Sequence, residues 1–368
     1  MRTMRELYEA VRLQEEEKGR KLEGWEDIYE MDCLLHPEKY EKRAGVVHGC
    51  KADKESLGAD VAAVLEVLSQ QEKKVYALIA PAFMGQFGDL VTPGKVRAAL
   101  KAAGFLGMVE VAVFADILTL KEALEFDEHV MSKEDFQLTS CCCPVWIAMI
   151  RGIYGELVPH VPGAVSPMIA AGRAVKKIHP EAVTVFIGPC IAKKKEAKEP
   201  DIADAVDYVL TFREMQELFE AVRINPQEMP EDEKEHSSTA GRIYARTGGV
   251  SEAVKKTVAQ LHPDRTIKVQ PKQADGVAAC KQMIEEIKSG ELTANFYEGM
   301  ACQGGCVGGP RALIDRDAGR EMVNRYGAEA IYQTPLENPY VLALIEKLGF
   351  YTVEDFLEKS DILTRDFS

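Results

Sequence analysis

Cys302 and Cys306 are separated by three residues in the stretch EGMACQGGCVGGP (298–310), with Gly304 and Gly305 between them. Two thiolates so close together suit metal ligation, but they cannot fill four metal positions, so further thiolates must come from elsewhere. Glycines let backbone approach a bulky ligand, and bare N–H groups there can point at anionic sulfur. Gly308, Gly309 and Pro310 then force a turn. On this stretch alone, zinc and iron–sulfur are equally open. Two further stretches carry chemistry: TSCCCPVW (139–146), with three consecutive cysteines, and GPCIAKKKE (188–196), with Cys190 and a run of lysines.

The rest of the chain bounds what these residues can do. Its net charge of −14 argues against nucleic acid and anionic membrane surfaces as partners. No apolar run approaches the roughly 18 residues needed to span a bilayer. The N-terminal sequence MRTMRELYEAVRLQEEEKGRK is too charged for a secretory signal, so a cytoplasmic location is expected. Nine cysteines, an odd number with three in a row, suit a reducing compartment and metal ligation better than a disulfide scaffold. Cys33 and Cys50, with His36 and His48, match no standard metal spacing and read as free thiols. Cys280, inside a helical stretch, reads as core.

Strands that end in these cysteine loops must position them. Apolar runs predict strands over 74–83, 109–115, 136–140, 183–189, 206–212, 267–270 and 294–299. Helical spacing falls between them, over 92–103, 118–126, 146–157, 166–178, 213–222, 251–261 and 276–288. Residues 3–30 and 56–72 also have helical spacing, and the polar stretch 225–238 reads as a surface loop. Alternating strands and helices imply α/β architecture with two lobes, each a mostly parallel twisted sheet flanked by helices. The pattern restarts near residue 180. It divides the chain into a helical N-terminal extension (1–72), a first lobe (73–179), a second lobe (180–335) and a C-terminal helical segment (336–368). Ligands in such sheets bind beyond strand carboxyl ends, which places the metal in the cleft between the lobes.

Taken together, TSCCCPVW, GPCIAKKKE and EGMACQGGC resemble the three active-site signatures of [FeFe]-hydrogenases, in that family's order. APAFMGQFG (80–88), ADILTLKEALEF (115–126), TGGVSEA (247–253) and ENPYV (337–341) also match, so the resemblance runs from about residue 74 to about 348. It implies an H-cluster: a [4Fe–4S] cubane on Cys143, Cys190, Cys302 and Cys306, with Cys306 also bridging to a diiron subsite bearing CO, cyanide and a bridging dithiolate. It implies catalysis of 2 H+ + 2 e− ⇌ H2. In the same pattern Lys193 donates to one cyanide, Pro81 and Ala82 stand at the other, and Met300 packs against the diiron subsite. A proton relay runs from a cysteine through two glutamates that match Glu122 and Glu125, three apart on one helix face. The implied partners are H2 and protons, an external electron carrier or signalling protein, and maturation proteins that build the diiron subsite.

The chain departs from the pattern in several places. Gly188 stands where a methionine usually precedes Pro-Cys, Pro162 where the relay has a serine, His129 where its outer residue is arginine, and Met168 where a glutamine is usual. No Cys-x2-Cys-x2-Cys-x3-Cys run supplies accessory clusters. These departures point to slow turnover and a role in sensing H2 or redox state. The alternative is an iron–sulfur assembly or scaffold protein, like the eukaryotic hydrogenase-like proteins that lack the diiron subsite. The cysteine run allows two registers. Counting back from Pro144 and Trp146, Cys142 is the proton carrier, Cys143 the ligand and Cys141 extra; counting from Thr139, each role moves back by one residue. The proline end is preferred because Pro144 and Trp146 fix the start of the helix that aims the last cysteine.

Overall fold

The computed structural model describes residues 3–22, 32–37, 57–139, 141–290, 292–358 and 361–367. Among these residues seven strands form two sheets, and every pairing between strands is parallel. The first sheet has the order β2-β1-β4-β5: β1 Lys74–Ile79, β2 Gly107–Glu110, β4 Ala182–Gly188 and β5 Tyr208–Thr211. The second has the order β3-β7-β6: β3 Gln137–Thr139, β6 Pro271–Asp275 and β7 Phe296–Met300. Every β1 residue after Lys74 is buried, as expected of a central parallel strand covered on both faces.

The two sheets are the expected lobes, but they do not divide the chain at residue 180. β4 pairs with β1 from Lys74↔Ala182 to Ile79↔Ile187, so the first sheet takes strands from both sides of that boundary. β3, from the first half, pairs instead with β7. The sequence restarts at 182 because a new strand begins there, and pairing of parallel strands is decided across long crossovers that local pattern does not encode. Neither end is a separate unit. Helix Met4–Glu17 packs on helices Gly249–Leu261 and Pro339–Lys347, and one large core contains residues from Met4 to Leu363.

Helix Val111–His129 joins the two halves. It packs against helix Pro167–Ile178, which covers β1 and β4, and against helix Gly249–Leu261, which covers β6 and β7. It is apolar nearly all round and almost wholly buried, the pattern of a central helix. Its N-terminal turns occupy part of the expected strand 109–115. β2 stops at Glu110, a buried carboxylate held by Arg97 at 2.9 Å and the Tyr326 hydroxyl at 2.8 Å, and the chain turns helical at Val111. The strand expected at 267–270 lies later, over 271–275; the Asn295 side chain takes the Gln270 N–H (2.8 Å), and Pro271 opens the edge strand. The expected surface loop 225–238 ends inside the protein. His236, Ser237 and Ser238 are buried, and the Ser238 N–H (2.7 Å) and Gly241 N–H (2.8 Å) both donate to Asp116.

Candidate metal centre

Three cysteine loops leave the carboxyl ends of β3, β4 and β7. After β3, Cys143 caps helix Pro144–Ile153, with proline at its first position, so the thiol stands at a helix N-terminus that favours thiolate. Trp146 locks this helix start. Its indole N–H donates to the Thr139 carbonyl at 2.8 Å, and its ring lies where a Cβ on Gly299 would stand. After β4, Pro189 leads into Cys190 and the short helix Ala192–Glu196. After β7, Gly304 and Gly305 take φ of 80° and 87°, which glycine adopts without strain. The segment TGGVSEA clamps that loop. Asp275 accepts from the Gly304 N–H and the Thr247 hydroxyl, both at 2.9 Å, and the Thr247 N–H donates to the Gly304 carbonyl at 3.0 Å. Buried Glu298 accepts from the Gly248 and Ser251 N–H groups at 2.7 and 2.8 Å. The Arg311 N–H donates to the Pro189 carbonyl (3.1 Å) and ties the second loop to the third.

Cys143, Cys190, Cys302 and Cys306 are half-buried, and they face one another. Burial, then Cys190 and Cys143, pushes the Cys302 thiol up to about 11. Burial, then Cys190, Cys143 and Cys302, raises Cys306 further. Thiols that raise one another share a space in which a cation would favour all their thiolates at once. Among the described residues no three His, Cys, Asp or Glu side chains converge closely enough to hold one metal ion. A single zinc ion would need its sulfurs converging at about 2.3 Å. Cys280 is buried against the Ala274 and Met300 carbonyls, as core. Cys33 is buried and its thiol is pushed up to about 12 by burial and Asp32. Cys50 and His48 lie outside the described residues.

An apolar cavity adjoins the thiols. Cys142, Cys190 and Cys306 line it with Pro81, Met168, Lys193 and Tyr244. Lys193 is buried and pairs with buried Glu196 at 2.7 Å. Burial opposes its charge, but Glu196 and nearby Cys190 and Cys142 hold its pKa above the ordinary value. Of the residues expected here, Pro81, Lys193 and Cys142 are on the wall; Ala82 and Met300 are buried but do not line it. Tyr244 was not expected. Its hydroxyl lies 3.0 Å from the Thr119 hydroxyl, and in the sequence it had only its place three residues before TGGVSEA.

Glu122 is fully buried on helix Val111–His129. It accepts from the Thr139 hydroxyl and, at 3.5 Å, from the Cys141 thiol. Burial pushes its pKa up to about 7 against the Thr139 hydrogen bond, and Glu125 adds to the rise. Cys141 is therefore not an idle extra: it is the thiol that touches Glu122, while Cys142 faces the cavity. Glu125 pairs with Lys121. It also lines, with His129 and Pro162, a separate cavity of about 400 Å3. Buried polar atoms without partners, Glu125 Oε2 and Gln137 Nε2, belong to residues on that wall.

Residues 73–310 match the family model described as iron only hydrogenase large subunit, C-terminal domain. The chain is 27% identical over 318 residues to iron hydrogenase 1 of Clostridium pasteurianum, across 73% of this chain and 55% of that protein. It thus spans about half the length of that relative. It is 24% identical over 338 residues to the nuclear prelamin A recognition factor of Xenopus laevis, across 76% of this chain and 74% of the other. Its fold matches a variant of the [FeFe]-hydrogenase HydA1 from Chlamydomonas reinhardtii with a TM-score of 0.69 and 21% identity, over 84% of this chain and 98% of that one.

Proposed function

The chain belongs to the iron-only hydrogenase family, through the C-terminal domain of that family's large subunit, and from that premise we propose that it is an [FeFe]-hydrogenase-type protein interconverting H2 with protons and electrons. The observation that carries this is the set of four facing thiols, Cys143, Cys190, Cys302 and Cys306, beside an apolar cavity that contains the Lys193 ammonium. The donor set fits a [4Fe–4S] cubane, which takes four cysteine thiolates. When bound beside it, the diiron subsite supplies the hydrogen chemistry. Lys193, held by Glu196, would present a cationic donor to an anionic ligand such as cyanide. The apolar wall excludes bulk water and strengthens that contact. Cys142, on the cavity wall, would be the thiol to exchange a proton with that subsite, with Cys141 and Glu122 behind it. Glu122, pushed up to about 7, is poised to take and release a proton near neutral pH. Where residue 162 offers no hydroxyl, the adjoining cavity has room for water.

Electrons must enter from an external carrier or signalling partner. The half-buried thiols, with Val145 and Ile191 exposed beside Cys143 and Cys190, provide a contact surface for one. The slow turnover expected from the sequence departures fits a sensing role in the cytoplasm, with maturation proteins supplying the diiron subsite. The second reading, an iron–sulfur assembly or scaffold protein without that subsite, is supported by a shorter match, 33% identical over 105 residues (25% of this chain and 20% of the other), to a cytosolic Fe-S cluster assembly factor NAR1 homolog of Schizosaccharomyces japonicus.

One measurement tests both readings and a second decides between them. Reconstituted protein should be brown with about four irons per chain, and Cys190→Ala or Cys302→Ala should abolish this. A colourless protein with one tightly held zinc would refute both readings. After addition of a synthetic diiron complex, infrared bands from metal-bound CO and cyanide support the hydrogenase; a brown protein that never shows them supports the scaffold.

A further inference from the structure

A third cavity, of about 310 Å3, lies beneath the C-terminal tail, and the relay through Glu122 and Glu125 makes no use of it. Its wall includes Cys141, Ser166 and Glu196; Arg151, Glu199 and Arg365 also line it. The tail is pinned across this region. Thr364 bridges to Ala164, the Val165 N–H donates to the Leu363 carbonyl (2.9 Å), and the Arg365 N–H donates to the Gly163 carbonyl (3.0 Å). Arg365 pairs with Asp201 at 2.6 Å and with Glu199.

Two observations indicate what fills it. Ser166 is 3% exposed, and its hydroxyl has no hydrogen-bond partner in the protein. A buried hydroxyl on the wall of a roomy polar cavity is satisfied by water. Glu196, on the same wall and 3% exposed, is the carboxylate that pairs with Lys193 at 2.7 Å, and Lys193 lines the cavity beside the thiols. This ion pair thus has one member on each cavity's wall.

We propose that the cavity beneath the C-terminal tail is a second proton inlet, in which water links the Glu199–Arg151 rim to Ser166 and to the Glu196–Lys193 pair. Each hop moves one proton along the water chain, and each donor regains one from the next water outward, so no residue is consumed. The inlet bypasses Glu125, His129 and Pro162. Its use in turnover rests on the hydrogenase reading; its being open to water does not.

The test has two arms. In cubane-loaded protein, Ser166→Cys places a thiol on the cavity wall, and methyl methanethiosulfonate labelling is read by peptide mass. A Cβ at Gly152, on the rim, would meet nothing within 4 Å, so Gly152→Trp serves as one plug; Ala148→Trp, exposed on the same wall, is the second. Labelling of Ser166→Cys that either plug suppresses supports the inlet, and an unlabelled thiol in folded protein overturns it. In matured protein, Glu122→Gln should keep a residual turnover that an added plug lowers by about tenfold or more. If the plug changes nothing on that background, the cavity is not a proton route. If matured wild type evolves no hydrogen, the hydrogenase reading fails, and labelling alone decides whether water enters.

Discussion

Glu122→Gln tests the central acid without requiring any cofactor. The glutamine keeps the shape and can still accept from the Thr139 hydroxyl, but it cannot ionise. In the folded protein Glu122 has a pKa of about 7 against an ordinary 4.5, because burial disfavours its charge. A folded-state pKa above the unfolded one gives stability that is full below the unfolded value and is lost as pH rises through the folded value. Wild type should therefore lose this contribution between pH 4.5 and about 7, and the gap is worth on the order of 3 kcal/mol. The variant has nothing to lose there. At pH 5 its melting temperature should equal or fall below that of wild type, because glutamine lacks the acid's O–H donor. At pH 8 it should be higher by several degrees, at roughly 2–4 °C per kcal/mol for a large domain. The assay is thermal unfolding of both cluster-free proteins at pH 5, 6, 7 and 8. Asp116, also pushed up to about 7 by burial, titrates in both proteins and cancels in the difference. A difference that stays constant across this range would show that Glu122 is not a buried acid titrating near neutrality.

Three further predictions follow from the same geometry. Cys143→Ala should lose the cubane while Cys142→Ala keeps it but loses most turnover in the matured protein; the reverse result, read by visible absorption, would establish the other register. Gly299→Ala drives a methyl group into the Trp146 ring and should cost about 1–3 kcal/mol of stability, with weaker cubane retention; an unchanged melting temperature would mean that Trp146 does not fix the Cys143 helix. Pro162→Ser adds a hydroxyl beside a cavity with room for water, so turnover should stay within about twofold of wild type, far from the 10²–10⁴-fold typical of losing an acid–base group. A large gain would mean that water does not bridge there.

The neighbouring cysteine loops and the α/β class were legible because both are written locally: cysteines set against Gly and Pro, and apolar runs ending in loops. The pairing of β1 with β4 was not, because parallel partners are chosen across crossovers of a hundred residues. The end of β2 was missed because VEVAVFADILTL is apolar on every face, which fits a buried strand and a buried helix equally well. Burial of 236–238 was missed because the stretch is polar; its groups are satisfied by Asp116 and other acids that the sequence does not place beside them.

The cysteine triplet shows how local pattern and tertiary placement divide the work. Three identical side chains in a row have one chemistry and no periodicity, so the sequence alone can only choose a register from flanking residues. The fold gives each a different neighbour. Cys143, at the start of a helix that Trp146 pins, joins the other three half-buried thiols. Cys142 turns to the apolar cavity with Lys193. Cys141 reaches back to Glu122 and also borders the cavity under the C-terminal tail. Burial raises all three thiols, so none is a thiolate unless something offsets the charge. The Lys193 ammonium favours the thiolate of all three, and a metal bound at Cys143 would do the same there. Cys141 also has the Glu122 carboxylate beside it, which raises it further and favours the neutral thiol. Three successive residues of one type thus acquire three different surroundings from position alone.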